Sequence, residues 1–398
     1  MRYDSSVNQQ APHPAKLTGR PLRRTSGSRS MILERIVLTH VRIPLVEPFR
    51  ISSGAVAVKD AIVVRIETNL GVGFGESSPM AGSFYSSDTP ESCWRELCEQ
   101  VVPALLSGEF ASPLEAARTA STLPVRNFAK VGVETAFWDL AAQQDGTPLC
   151  VLLGGAIRPV PSGLAVGLYD DPADLLRAIE RYLPAGYQRV KIKIEPGRDV
   201  DLVRQVRRHF GSIPLLVDAN GAYNLSQADV FRRLDEFDLL MFEQPFPAGS
   251  LSELAELQRQ VRTPVCLDES LDSLEQLRAA IGLGSVRIAN IKIQRVGGFT
   301  QAVAMANICR EHNLPFWIGT MPELGIGQAQ GLALATIEGC AFPTDVEASL
   351  RWFCDDLIEP LIELQDGYLL PSSAPGLGFS VDVRKLKRYT VAEQVFPR

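Results

Sequence analysis

Hydrophobic and polar residues follow two different patterns on the two sides of residue 154. From Met31 to about Ala81 they alternate in the manner of β-strands, and amphipathic stretches follow, two of them opened by a Thr or Ser before Pro. We predict strands over 32–45, 60–68 and 71–77, and helices over 88–107, 112–122 and 131–144. Strands followed by helices predict a small α+β domain over residues 31–154.

Beyond residue 154, short apolar runs alternate with helical stretches, mostly at intervals of about 25 residues. The runs lie at 162–168, 189–194, 214–220, 239–245, 264–270, 288–293, 315–320 and, more weakly, 340–344, and helical patterns between them include 199–210, 226–237 and 300–313. Such units predict an α/β fold, a modified TIM barrel of the (β/α)7β type over 155–355. An open Rossmann-type sheet is the alternative, but no G-x-G-x-x-G follows a strand. The first domain is predicted to cap the barrel. Residues 356–398 are predicted to be mostly irregular, to pack back on this capping domain and to complete it.

Composition narrows the class of protein. The chain has 398 residues, 45% of them hydrophobic, and a formal charge of −6, which gives no reason to expect nucleic acid as a partner. No apolar run approaches the roughly 20 residues that span a bilayer, so we expect no membrane partner. Residues 1–30 hold six basic residues and one acid and are predicted to be a disordered extension. Seven cysteines without a C-x-x-C pair favour free thiols in a reducing cytoplasm.

Polar residues at the carboxyl ends of the predicted barrel strands are the candidates for chemistry, because the active sites of such barrels lie there. The second strand ends with Lys191 and Lys193, which point to the same side because side chains alternate along a strand. The next four strands end with Asp218, Glu243, Asp268 and Lys292. Each interval after Lys193 is 25 or 24 residues, one strand–helix unit, so we expect these residues at one height.

Three converging carboxylates would repel one another and raise one another's pKa. A hard divalent cation removes that repulsion, and an all-oxygen ligand set favours Mg²⁺, with Mn²⁺ as an alternative. We therefore predict Asp218, Glu243 and Asp268 as metal ligands, with Asn220 and Glu269 supporting them.

The two lysine positions predict a reaction at the carbon beside a substrate carboxylate. A small-molecule carboxylate on the metal would lie between Lys193 and Lys292, and one of them would remove the α-proton while the metal stabilises the enediolate. Such a base must be neutral near pH 7, and we expect desolvation and a nearby cation to lower the lysine pKa. Lys191, one pleat deeper, suits an electrostatic role at the carboxylate.

This pattern of lysines and acids resembles the enolase superfamily. It is most similar to the muconate-lactonizing subgroup and, within it, to the o-succinylbenzoate synthase/N-acylamino acid racemase family. The narrower similarity lies in PFRISSG (48–54), PMAGSFYSSDT (79–89), NIKIQRVGGF (290–299), GTMPELGIGQA (319–329), FPTDVEAS (342–349) and DLIEP (356–360). The resemblance implies an enediolate that is dehydrated by a synthase of menaquinone biosynthesis or reprotonated by a racemase, in an enzyme that forms a homo-oligomer.

The sequence departs from the family pattern at two places that border the pocket. The seventh-strand motif Gly-Gly-Met is replaced by Gly319-Thr320-Met321, and Ala165 stands where an inward Ser is expected on the first strand. Arg295 matches the family's arginine, and we expect its charge to help hold Lys292 neutral.

The substrate end of the pocket is expected to be covered by the first domain. Residues 48–58, which include Ser53, are predicted to be a flexible loop that closes on the ligand and excludes water. The other predicted substrate-binding residues are Met80, Phe84 and Tyr85 from the first domain, and Gly319, Thr320, Met321 and Glu323 from the barrel. Phe299, Phe316 and Trp317 are predicted to be core residues.

Other functions remain open from the sequence. No histidine is placed to serve as a base of the mandelate racemase type. Dipeptide epimerisation and muconate cycloisomerisation are alternatives within the superfamily. A Schiff-base aldolase would use Lys193 or Lys292 but leave three carboxylates idle, and a catalytically silent binding protein would leave every candidate residue unused.

Overall fold

A computed structural model of the protein describes residues 30–82 and 85–398. All of the predicted basic extension except Ser30 lies outside the described residues. No helix in the described part is both long enough and apolar enough to cross a bilayer.

The first domain opens with an antiparallel meander. Its strands are β1 (Leu33–Ile51), β2 (Gly54–Thr68) and β3 (Gly71–Ser77). Residues 69 and 70 form the turn that joins β2 to β3. The prediction of a flexible loop over 48–58 is wrong. Phe49 pairs with Val56 and Ile51 with Gly54, so this segment is the tip of a long β-hairpin. Its small residues fit within paired strands, and only residues 52 and 53 form the turn.

Five helices follow the meander, and the longest of them packs against its second and third strands. They are α1 (Pro90–Glu96), α2 (Val102–Leu106), α3 (Pro113–Ser121), α4 (Asn127–Asp145) and α5 (Leu149–Leu152), with a π-helical turn (Leu97–Val101) between the first two. Thr89 and Ser112 cap α1 and α3 through their hydroxyl oxygens, as their positions before Pro predict. Helix α4 begins four residues before the predicted start and buries most of its side chains.

The second half of the chain forms the predicted α/β barrel. Strand β4 (Val160–Pro161) precedes seven parallel strands: β5 (Leu164–Val166), β6 (Val190–Lys193), β7 (Leu215–Asp218), β8 (Phe242–Glu243), β9 (Val265–Leu267), β10 (Ile288–Ile291) and β11 (Phe316–Ile318). These seven strands lie side by side in chain order. The eighth run forms only isolated bridges, from Cys340 to Phe316 and from Thr344 to Ser162, one at each edge of the sheet.

Helices lie between the barrel strands and pack their apolar faces against them. They are α6 (Pro172–Tyr182), α7 (Val200–Phe210), α8 (Ala228–Leu234), α9 (Leu251–Gln260), α10 (Leu274–Leu283), α11 (Ile293–Val296), α12 (Phe299–Glu311), α13 (Gly325–Leu334) and α14 (Ser349–Trp352), with short 3₁₀ turns at Leu183–Ala185, Leu225–Gln227 and Asp235–Phe237. The helices predicted over 199–210, 226–237 and 300–313 correspond to α7, α8 with its flanking turns, and α12.

The end of the chain returns to the first domain. Residues 356–382 are mostly irregular, as predicted, whereas residues 383–397 form a helix and a strand that were not predicted. The elements of this end are β12 (Ile358–Glu359), β13 (Tyr368–Leu369), β14 (Ser380–Val381), α15 (Val383–Tyr389) and β15 (Thr390–Pro397). Strand β15 pairs antiparallel with β1 and so extends the meander to four strands. The domain boundaries at 154/155 and 355/356 stay a prediction.

Candidate active site

A small cavity lies where the carboxyl ends of the barrel strands meet the first domain. Its walls combine amino groups with apolar surface. The lining residues are Phe49, Ile51, Met80 and Tyr85 from the first domain, and Ala165, Lys191, Lys193, Asn220, Lys292, Thr320, Met321, Pro322, Asp345 and Trp352 from the rest of the chain.

The strand-end acids stand in one row beside this cavity. Lys193 pairs in register with Asp218, and Asp218 with Glu243, on the neighbouring strands β6, β7 and β8. Asp268 directly follows β9, and all three acids are buried. The equal sequence spacing therefore corresponds to one register for Lys193, Asp218 and Glu243. Glu243 pairs with Cys266, so Asp268 lies two residues further along, and the prediction of one height is wrong for Asp268.

Lys191 lies among the acids. Its Nζ is 2.8 Å from Glu243 Oε1, 3.1 Å from Asp218 Oδ2 and 3.0 Å from Asp345 Oδ2. Burial lowers the pKa of Lys191, but the charges of the three acids outweigh it and raise the pKa well above its usual value. Sequence analysis did not find Asp345, although it directly follows the eighth apolar run and so meets the same strand-end criterion.

Lys193 and Lys292 reach the cavity from different sides. Lys193 Nζ donates a hydrogen bond to Asp218 Oδ2 at 2.6 Å. Lys292 follows β10, and its Nζ is 2.9 Å from Asp268 Oδ2 and 3.3 Å from Tyr85 Oη. Three strands, β7, β8 and β9, separate β6 from β10.

The lowered lysine pKa that we expected is not found at Lys292. Burial lowers its pKa, but the charges of Asp268 and Tyr85 raise it, and the net shift is upward. Arg295 acts in the expected direction and lowers the pKa of Lys292, yet its effect is smaller. The physical reason is the direct ion pair between the ammonium and Asp268.

The carboxylate and amide oxygens of the site are the kind of ligands that a hard divalent cation prefers. In this structure, however, the three acids are too far apart to bind one cation together. No three carboxylate, imidazole or thiol groups of residues 30–82 and 85–398 lie close enough together to hold a metal. Lys191 bridges Asp218 and Glu243 instead. Nevertheless Glu243 Oε2 and Asn220 Oδ1 are buried and accept no hydrogen bond from the described residues. Burial, and after it the charge of Asp218, raise the pKa of Glu243 to about 8. A nearby cation would favour the ionised form of this carboxyl group.

The predicted supporting residues contact one another around the acids. Asn220 Nδ2 donates to Glu269 Oε1 at 3.0 Å, and Arg295 Nε lies 3.2 Å from Asp268 Oδ1. The Arg295 guanidinium also donates to the Tyr85 hydroxyl, which ties the first domain to the acid row.

Asn290 is a further contact that sequence analysis missed. Its Nδ2 donates to Glu243 Oε1 at 3.0 Å from within β10. A polar side chain inside the apolar run of residues 288–293 was the available signal.

The predicted substrate-binding residues divide into two groups. Met80, Tyr85, Thr320 and Met321 line the cavity. The remaining four are Ser53, which is exposed in the hairpin turn, Gly319, which lies against Asn290, Glu323, which is buried near Lys59, and Phe84, which lies outside the described residues.

The apolar wall of the cavity includes residues that were not predicted to bind substrate. Phe49 and Ile51 of the hairpin and Trp352 of α14 line it, although none of them was predicted to bind substrate. Phe299, Phe316 and Trp317 are fully buried, which confirms them as core residues.

Family comparison agrees with the two-part architecture. Residues 34–154 match the mandelate racemase/muconate lactonizing enzyme N-terminal domain, and residues 174–385 match the enolase C-terminal domain-like family. The chain belongs to the enolase superfamily. Within this superfamily it falls with the o-succinylbenzoate synthases and N-succinylamino acid racemases of the muconate-lactonizing subgroup.

Individual relatives cover nearly the whole chain. An o-succinylbenzoate synthase of Geobacillus stearothermophilus is 42% identical over 92% of this chain and 98% of its own length. An N-succinylamino acid racemase of an Amycolatopsis species is 39% identical over 91% of this chain and 99% of its own. The crystal structure of an enolase-superfamily member from Listeria innocua superposes with a TM-score of 0.87, at 33% identity, over 92% of this chain and 99% of that one.

Proposed function

We propose that this enolase-superfamily enzyme removes the proton α to a substrate carboxylate and acts as an o-succinylbenzoate synthase, an N-succinylamino acid racemase, or both. One observation carries the proposal: Lys193 and Lys292 line the same cavity from strands that flank the three acid-bearing strands. Relatives of similar length carry both names.

The residues divide the reaction between the two sides of the substrate. Lys193 and Lys292 would each serve one face, so that one Nζ takes the α-proton and the other returns a proton to the opposite face during racemisation. In the synthase reaction the lysine that took the α-proton would return it to the hydroxyl group on the β-carbon, so that the enediolate expels that group as water and forms the double bond. Lys191 would hold positive charge near the carboxylate.

We further propose Asp218, Glu243 and Asp268 as the ligands of Mg²⁺, with Mn²⁺ as a substitute. When bound, the cation would supply positive charge at the substrate carboxylate and stabilise the enediolate. The lysines now paired with the acids would have to give up these contacts, and the loss of the ion pair with Asp268 would lower the pKa of Lys292 toward the value that a base needs.

Proton NMR in D₂O tests the reaction directly. N-succinylamino acids of each enantiomer are incubated with the enzyme and Mg²⁺, and we expect the α-proton signal to disappear and optical activity to decay. The synthase reaction is followed separately as dehydration of the succinyl cyclohexadiene carboxylate. If neither substrate reacted with Mg²⁺ or Mn²⁺ present, the proposal would be wrong.

A Schiff-base aldolase would give the opposite results in two experiments. Its activity would survive EDTA, and borohydride with substrate would trap a covalent adduct on Lys193 or Lys292. We expect EDTA to abolish activity and borohydride to leave the mass of the chain unchanged.

Cytoplasmic location and homo-oligomeric assembly stay predictions, and all seven cysteines are free thiols, as a reducing compartment requires.

A further inference from the structure

A buried carboxylate of the first domain holds the barrel segment that follows β11. Glu76 is the penultimate residue of β3 and is fully buried. Its two carboxyl oxygens accept hydrogen bonds from the backbone N–H groups of Leu324 at 2.8 Å and Gly327 at 2.9 Å. These groups belong to the start of α13, where free N–H donors favour a carboxylate. A Cβ added at Gly327 would lie 2.5 Å from Glu323 Cβ and 3.3 Å from the Glu76 carboxyl carbon, so glycine leaves room first for Glu323 and then for Glu76.

A buried ammonium of the same domain holds the same segment from the other side. Lys59 of β2 is 4% exposed, and its Nζ donates to the carbonyl oxygens of Met321 at 3.2 Å and Ser78 at 3.1 Å. Ser78 in turn donates its hydroxyl to Glu76. Buried charged groups persist only when they are hydrogen-bonded, and here the partners of Lys59 are one backbone carbonyl of the barrel, at Met321, and one of the first domain, at Ser78.

The segment held in this way, residues 319–324, forms one wall of the cavity. Thr320 and Met321 line it, and Met321 is the residue whose carbonyl Lys59 contacts. Glu76 therefore fixes the end of the wall segment and Lys59 its middle.

The same end of β3 also contacts the segment after Lys292. Gln294 Oε1 accepts from Ser78 N at 2.8 Å, and Gln294 Nε2 donates to Glu76 O at 2.9 Å. One strand end of the first domain thus contacts both the end of the wall segment and the segment that follows a proposed catalytic lysine.

We propose that Glu76 and Lys59 are positioning residues that set which substrate side chain the cavity accepts, by fixing the wall segment 319–324. This inference rests on the proposed function for the identity of the substrates. A merely structural role would lower the amount of folded enzyme, whereas a positioning role changes the preference between substrates.

Glu134 of α4 offers a matched control. It is likewise fully buried and accepts hydrogen bonds from the N–H groups of Phe299 and Thr300, both at 2.8 Å, at the start of α12. It therefore joins the first domain to a barrel helix with the same chemistry, but its partners lie outside the wall segment.

The experiment compares Glu76→Gln, Lys59→Met and the milder Ser78→Ala with Glu134→Gln. For each variant, kcat and KM are measured with two N-succinylamino acids, one with a small and one with a large side chain. The ratio of the two kcat/KM values does not depend on the folded fraction. We expect this ratio to change about tenfold in Glu76→Gln and Lys59→Met, with KM affected more than kcat, and by less than about twofold in Glu134→Gln.

Amide hydrogen exchange of residues 321–327, followed by mass spectrometry, supplies a readout that needs no activity. We expect exchange to become about tenfold faster in Glu76→Gln but not in Glu134→Gln. An unchanged substrate ratio and unchanged exchange in Glu76→Gln and Lys59→Met, or equal changes in Glu134→Gln, would overturn the inference. If the unmodified enzyme acted on no substrate, the proposed function would fail, and the exchange rates would still decide whether these residues hold the segment.

Discussion

Lys193 and Lys292 reach one cavity, but each is paired with a different outer member of the acid row. Lys193 Nζ is 2.6 Å from Asp218 Oδ2, and Lys292 Nζ is 2.9 Å from Asp268 Oδ2. The strand that carries Glu243 lies between those of Asp218 and Asp268. The two amino groups are therefore held apart on the two sides of the central acid, which is the arrangement that a reaction on both faces of one carbon needs.

Each lysine should serve one enantiomer. In Lys193→Met and Lys292→Met we expect racemisation to fall by about a thousandfold or more, because one proton transfer is lost. Each variant should still exchange the α-proton of one enantiomer with D₂O, and the two variants should differ in which one. Proton NMR of both pure enantiomers measures this, with the exposed Lys387→Met as the control. Exchange of both enantiomers by either variant would contradict the two-sided arrangement.

The acid row should determine cation affinity. Asp218→Asn, Glu243→Gln and Asp268→Asn each remove one negative charge, and we expect each to weaken Mg²⁺ binding by about tenfold or more. Isothermal titration calorimetry on enzyme pretreated with EDTA measures the affinity, and Glu99→Gln on the exposed surface is the control. Equal Mg²⁺ affinity in all four variants and the unmodified enzyme would place the cation elsewhere.

The strand-end residues could be predicted because they depend on one local regularity. A strand–helix unit of constant length brings Lys193, Asp218 and Glu243 to one height, and that period is visible in the sequence. Asp345 escaped the same argument because the run before it is short and forms isolated bridges in place of a strand.

The features that sequence analysis missed depend on contacts between distant parts of the chain. The hairpin tip at residues 49–56 contains Ser, Gly and Ala, which resemble a loop until the pairing of β1 with β2 is known. Strand β15 has only a short alternating pattern, and its partner β1 lies more than 300 residues earlier. The raised pKa of Lys292 depends on which acid its side chain contacts, and no spacing encodes that contact.

Glu134 should make stability depend on pH. Burial raises its pKa from 4.5 to about 7, although hydrogen bonds from Thr300, Phe299 and Trp138 oppose the shift. The native carboxyl group then keeps its proton over a pH range in which the unfolded chain has released it. Its contribution to the free energy of unfolding is therefore complete below about pH 4.5 and is lost as the pH rises through about 7.

Replacement of this carboxyl group by an amide should flatten that dependence. Between pH 5 and pH 8, we expect the free energy of unfolding to fall by about 1 to 3 kcal/mol less in Glu134→Gln than in the unmodified protein. Urea denaturation followed by circular dichroism at several pH values measures the difference. Glu99→Gln should keep the original dependence, and the same dependence in Glu134→Gln would show that another group causes it.

Gly319 should tolerate no side chain, because the Asn290 side chain occupies the space that a Cβ would need. A Cβ at residue 319 would overlap Asn290 Oδ1 and lie 2.7 Å from Nδ2, the atom that donates to Glu243. In Gly319→Ala we expect kcat/KM to fall about a hundredfold, since a displaced Asn290 leaves the central acid of the row without its hydrogen bond. The melting temperature should fall as well, because the Asn290 amide and the Glu243 carboxyl group would lose their hydrogen bond while both stay buried.

A double-mutant cycle separates the clash from the lost hydrogen bond. Asn290→Ala alone loses the bond to Glu243 but creates space, so Gly319→Ala added to it should cost far less stability than Gly319→Ala in the unmodified protein. Activity should stay low in the double variant, because the hydrogen bond is absent in both backgrounds. Thermal denaturation and steady-state kinetics of the four proteins measure the two effects. If the two substitutions were additive in stability, residue 319 would not act through Asn290, and the reason for a glycine there would have to lie in the backbone.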